Sequence, residues 1–194
     1  MREYFREISL TNPLGDLPIT DSRAMRALAH PVRLAILSYL QRHGPATATV
    51  LAPHVGATPS VTSWHLRHLA EYGLVGDADP AQVPGDRRQR WWTAKARGFR
   101  FETTDDPASQ ALGDQMHAAA LAQIERWTRE TRPELDVEWL RSSGLSNTNV
   151  RLTADELREL AERIDELLAP YVHRGDPPDG ARDVRVLRYY LPSS

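Results

Sequence analysis

The stretch Pro59–Tyr72, PSVTSWHLRHLAEY, restricts the fold of this chain more than any other. On a helix of 3.6 residues per turn Thr62, Leu66 and Leu69 form one stripe, and Ser60, Trp64, Arg67 and Glu71 form the opposite one, with Ser63 and His68 beside it. Such a segment must be packed on one side and presented on the other. The presented side starts with hydroxyls, an indole and a guanidinium, groups that bond to phosphates and base edges, and carries a single acid at its far end. This composition reads as a DNA recognition helix.

The residues before it supply the rest of the arrangement. Thr20 or Asp21 caps a helix running through Leu28, and Pro31, tolerated in a first helical turn, opens a second one to about Gln41 with Val32, Ala35, Ile36, Tyr39 and Leu40 on its apolar stripe. Gly44-Pro45 ends that helix, a short third one spans Thr47 to His54, and Gly56-Ala57-Thr58 forms the turn before Pro59. Three helices with a tight turn before the last predict a helix-turn-helix, in which the N-terminal residues of the final helix lie nearest the bases. Ser60, Ser63, Trp64 and Arg67 are its candidate contacts. Beyond Gly73, Leu74-Val75, the turn-rich run DADPAQVPGD and RRQRWWTA predict two antiparallel strands joined by a loop, a wing over residues 75–94. Its tip offers Arg87, Arg88 and Arg90 to a phosphate backbone. Alternation in the return strand sends one indole of Trp91-Trp92 to the core and the other to the opposite face.

The net charge of −2 conceals a strong asymmetry. Residues 1–21 carry −2, residues 22–104 carry +6 and residues 105–194 carry −6. A cationic module is therefore joined to an acidic one. Lys95 is the only lysine, so the cationic chemistry is almost wholly guanidinium. The absence of cysteine removes disulfides, thiolate metal sites and a cysteine nucleophile. With 41% hydrophobic residues, no long apolar run and an opening MREYFREISL of mixed charge, the expectation is a cytoplasmic globular protein with no membrane partner.

Three pieces in order, ALAHPVRLAILSYL, SVTSWHLRHLAEYGLV and RRQRWWTAKARGFRF, resemble the ArsR-type winged-helix transcription regulators, in particular a cysteine-free branch with a C-terminal extension. The similarity covers about residues 22–103. It implies a homodimer on an inverted-repeat operator of double-stranded DNA, with Ser60, Ser63, Trp64, His65 and Arg67 as recognition-helix residues and Arg87, Arg88 and Arg90 in the wing. His65 and His68 are expected to serve either the DNA interface or the core. Pro59 and Trp64 depart from the family pattern, which has a polar residue at the helix start and a small or polar one before His65.

Asp106-Pro107 caps and opens a long helix to about Glu130, with Leu112, Met116, Ala120, Ile124 and Trp127 on its stripe. Helices at this position in the family pair across the dimer, so the stripe of these five residues is in part the candidate dimer interface, the alternative being that it closes the domain over the three-helix core. Thr153 with Glu156 makes a capping box for a helix whose apolar face is Leu157, Leu160, Ile164, Leu167 and Leu168, and Asn147–Leu152 and Val184–Leu191 are expected to flank it as strands. The expected class is α+β, mainly α with small β, divided into an arm (1–21), a winged helix-turn-helix domain (22–104), a linking helix (105–133) and a C-terminal α/β unit (134–194). That unit can hold a ligand, extend the dimer or dock a partner. A small apolar effector among Met116, Trp127, Trp139 and Tyr171 is one alternative, and a winged-helix module that contacts protein instead of DNA is another.

The histidines do not make a metal site. Asp114 and His117 share a helix face but only Glu125 follows at ligand spacing, and His65 with His68 is a bare pair. No nucleophile elbow, phosphate-binding glycine loop or dense acid-base cluster is present, so neither a cofactor nor a catalytic role is expected.

Overall fold

A computed structural model describes residues 12–83 and 89–192. It divides into two compact units, Gly15–Ala122 and a second that comprises, of the described residues, 12–14 and 123–192.

In the first unit β1 (Leu17–Pro18) precedes α1 (Ser22–Leu28), whose N-cap is Asp21, its carboxylate accepting from the Arg23 amide at 2.8 Å. α2 (Pro31–His43) starts on proline and is capped by the ring of His30, which accepts from the Val32 amide at 3.2 Å. Gly44, at φ 79°, provides the left-handed residue that stops it. After β2 (Ala46–Thr47), Thr47 caps α3 (Ala48–His54) and Thr58 caps α4 (Pro59–Glu71), each hydroxyl accepting an amide three residues on. β3 (Val75–Asp77), β4 (Trp91–Ala94), β5 (Phe99–Arg100) and α5 (Pro107–Arg126) follow.

β4 is the centre of an antiparallel sheet ordered β2-β4-β3, with Thr47 opposite Trp91, and Asp77 and Ala46 both opposite Trp92. The hairpin predicted for the wing is present. β2 was not foreseen, because two residues carry no periodicity. The described end of the predicted arm packs on the first unit: β1 pairs in parallel with β5, and Ile19 is buried in the core.

That core joins Leu28 of α1, Ile36, Leu37 and Leu40 of α2, Leu51 of α3, Leu66 and Leu69 of α4, Trp92 of β4 and Leu112 of α5. Arg33 is buried among them. Its guanidinium donates to the carbonyls of Ala27 and Arg26 in the last turn of α1, so a cation sits on the negative end of that helix. Ser22 donates to the Asp106 carboxylate, which also caps α5 by accepting from the Ala108 amide, so the first and last helices of the unit share one carboxylate.

In the second unit helical backbone continues as a π-helical turn (Trp127–Thr131) and a 3₁₀ turn (Arg132–Glu134), then α6 (Val137–Ser142) and α7 (Ala154–Val172). The capping box of α7 forms as expected, with the Thr153 amide donating to Glu156 at 2.7 Å and the Glu156 amide to Thr153 at 3.2 Å. The strands expected beside it do not form: residues 143–153 and 173–192 carry no strand. Val150, Val184 and Val186 are all more than half exposed, and alternating residues without a buried face lack the apolar gain that holds a ladder together. Side chains fasten the last segment instead, Arg188 to Asp165 of α7 and Arg182 to Asp136.

Candidate nucleic-acid interface

α3, the turn at Gly56 (φ 64°) and α4 form the helix-turn-helix, and α4 divides its residues sharply. Thr62, His65, Leu66 and Leu69 are buried, whereas Ser60, Val61, Trp64, Arg67 and Glu71 are exposed and Ser63 and His68 are half-buried. Thr62 loses nothing by burial, since its hydroxyl donates to the Thr58 carbonyl at 2.9 Å.

His65, expected among the contact residues, is instead part of the interior. Positions 62, 65, 66 and 69 follow the i, i+3, i+4, i+7 pattern of a single helix face, so a residue between Thr62 and Leu69 on that face has no route to a groove. Its ring centroid lies 4.8 Å from that of His30, and its Nδ1 is buried with no hydrogen-bond partner among the described residues. Burial first, and then the neighbouring His30, Arg33 and His68, hold its pKa below the ordinary histidine value. His30 is lowered for the same first reason, with Arg33 adding to it.

On the presented side, Arg67 donates to Ser63 at 2.9 Å, which aligns the guanidinium along the helix. Trp64 lies parallel to His68 (5.7 Å between centroids, 2° between planes), and His68 in turn donates to Glu71 at 3.2 Å. Beside this face runs a cleft of about 200 Å³. Ser63 and Arg67 form one wall, Thr47 to Thr49 at the start of α3 a second, and Gln89 and Arg90, which lead into β4, with Trp92 of β4 the third. α4, α3 before it and the β3–β4 hairpin thus converge on one concavity.

Arg90 is a fixed part of that wall. Its guanidinium donates to Asp77 across the hairpin at 2.6 and 3.2 Å and lies 3.9 Å above the Trp92 ring. The bonds from Arg90 also lower the Asp77 pKa below the usual carboxylate range. Trp92 is the indole that enters the core, and Trp91 is half-buried on the other side of β4. Arg87 and Arg88 lie outside the described residues. Thr47, Thr49 and Gln89 were not singled out from the sequence, and neither was Asp77 as the partner of Arg90. Only the strand register, Asp77 opposite Trp92, makes that pair visible.

The stripe of α5 is similarly divided. Leu112 is fully buried in the core of the first unit and is unavailable to a second chain, because with Ala108 and Ser109 it forms the turn of α5 that seals that core. Met116 and Ile124 are exposed, and Ala120 and Trp127 are half-buried. Among the described residues no three His, Asp or Glu side chains group to hold a metal ion, and no helix is long and apolar enough to cross a membrane.

Residues 28–75 match the family model described as Helix-turn-helix domain. The match runs from the last residue of α1 to the first of β3 and contains all of α2, α3 and α4. It supports a DNA-binding transcription regulator of α+β fold. Among solved structures, the chain is similar to a double mutant of Lactococcus lactis ZitR in apo form, at 15% identity over 74% of this chain and 83% of that one, with a TM-score of 0.33. A second structure of that mutant aligns at 16% identity over 70% of this chain and 75% of that one, with a TM-score of 0.32. No curated protein matches the sequence.

Proposed function

We propose that the chain is a sequence-specific transcription regulator of the ArsR type that binds duplex DNA as a homodimer on an inverted repeat. In this reading α4 enters the major groove and presents Ser60, Ser63, Trp64 and Arg67 to the bases, with His68 supporting the indole from the edge of the same face. The wing, with Arg90 and the arginines at 87 and 88, follows the flanking backbone. The observation that carries the proposal is the convergence of Ser63 and Arg67 of α4 with Arg90 of the wing around one cleft, in a segment whose charge is +6. The exposed Met116 and Ile124 on α5 supply an apolar stripe for the second copy.

Selection of bound sequences from random duplexes, followed by titration across a salt series, tests this directly. The expected result is a palindromic site whose log affinity falls linearly with log salt, as counterions released by the arginines require. A chain that ignores every duplex at low ionic strength overturns the reading. A protein partner that binds through Trp64, which is 53% exposed, then becomes the better account.

A further inference from the structure

The presented face of α4 is itself split. Ser63 and Arg67, bonded to each other, run along the edge that lines the cleft. Val61 and Trp64, 46% and 53% exposed, run along the other edge, one helical turn apart. Two large apolar side chains in water cost free energy that a regulator gains nothing from unless a partner covers them.

The indole is also held before any partner arrives. It stacks parallel on His68 and meets the buried His65 edge-on, with 4.9 Å between centroids and 72° between planes. His68 is braced in turn by Glu71 and by an edge-on contact with Tyr72 at 5.4 Å. An exposed ring held between two neighbours, one of them itself braced, has already lost much of the rotamer entropy that binding would otherwise cost.

Within a major groove the base edges offer hydrogen-bonding groups and one apolar group, the C5-methyl of thymine. Resting on the DNA-binding reading above, we propose that Trp64, backed by Val61, is a specificity-determining residue that reads thymine through its methyl group. The recognition helix then divides its work: Arg67 and Ser63 address polar edges or phosphates, and the Trp64–Val61 edge requires a methyl on the neighbouring base pair.

Replacing single thymines of the selected duplex with deoxyuridine tests this, because the exchange removes only the methyl and leaves every hydrogen-bonding group in place. With the full-length wild-type chain, one thymine position per half-site should lose about fourfold in affinity on replacement, and about fifteenfold when both half-sites are changed. In Trp64→Ala, checked for an unchanged thermal melt, thymine and deoxyuridine duplexes should bind equally. Trp64→Phe, which keeps an apolar edge, should retain part of the preference. Wild-type protein that binds fully substituted deoxyuridine duplexes as tightly as thymine duplexes overturns the proposal, as does a methyl preference that survives in Trp64→Ala. Either result leaves DNA binding intact, whereas failure to bind any duplex sinks both readings together.

Discussion

The two units of this chain are stabilised in different ways. Residues 15–122 close over leucines with no accessible surface, among them Leu28, Leu51, Leu66, Leu69 and Leu112, whereas beyond Leu112 no described residue is buried. Order from residue 123 onward comes from local devices: the capping box of α7, the Arg163–Glu159 and Arg158–Asp155 pairs within it, and the Arg188–Asp165 bridge. Each exposed ion pair is worth roughly 0–1 kcal/mol, against roughly 1.5–3 kcal/mol for one fully buried leucine. A module that holds α4 in place from behind is thus set against a segment whose apolar residues still face outward.

The largest effect should come from cutting into the first core. Leu66→Ala removes a fully buried side chain from the back of α4 and should cost about 2–5 kcal/mol in urea unfolding. Leu167→Ala in α7, where the side chain is 71% exposed, should stay within about 0.5 kcal/mol. Equal costs at the two positions would erase the contrast. Next in size is the exposed stripe of α5. Met116→Glu places a charge on the face assigned to the second copy, so sedimentation should show a monomer and operator affinity should fall by about a hundredfold as bivalence is lost. An unchanged dimer that still binds its site would move the subunit contact elsewhere.

These contrasts were only partly legible in the sequence. The helix-turn-helix was, because α4 repeats apolar residues at helical intervals and its start is marked by Gly56, Thr58 and Pro59 in succession. The Thr153–Glu156 box was legible for the same reason, since its two groups are three residues apart and need no tertiary contact. His65 was read by its polar type, although its position between Thr62 and Leu69 on the apolar stripe assigns it to the interior. The rest of what escaped depended on partners distant in sequence. The pairing of Asp77 with Arg90 needs the hairpin register. The alternation of Val184–Leu191 is real, but a strand requires a neighbouring strand as well as a pattern, and none lies beside it among the described residues.

Arg67 tests the presented face at a smaller scale. Arg67→Ala should lower affinity for the selected site by ~1–3 kcal/mol if the guanidinium meets a base, and should broaden sequence preference at one position per half-site. The protein's own stability should barely change, because the side chain is exposed and its bond to Ser63 lies on the surface. Affinity that falls equally for all sequences, with a shallower salt slope, would reassign Arg67 to a phosphate.

The smallest effect is a pH dependence of stability built into the back of the same helix. His65 and His30 face each other, with Arg33 and His68 as the neighbouring charged or titratable groups, and both histidines are held below the ordinary pKa of about 6.5. A depressed pKa means that the unfolded chain binds more protons than the folded one in the interval between the two values, so stability should fall as pH drops below about 6.5 and continue to fall until the folded-state value is passed. The carboxylates held low, Asp21, Asp77, Asp106 and Glu156, act in a different window, below about pH 4. Thermal melts between pH 7.5 and 5 therefore lie above the window of these carboxylates, and comparison with His65→Leu reads the part that belongs to the histidine pair. The wild-type midpoint should decline across this range, and in His65→Leu the decline should be shallower. If His65→Leu declines as steeply as wild type, burial of this ring does not control proton uptake, and the interior behind α4 is more open to water than its packing indicates.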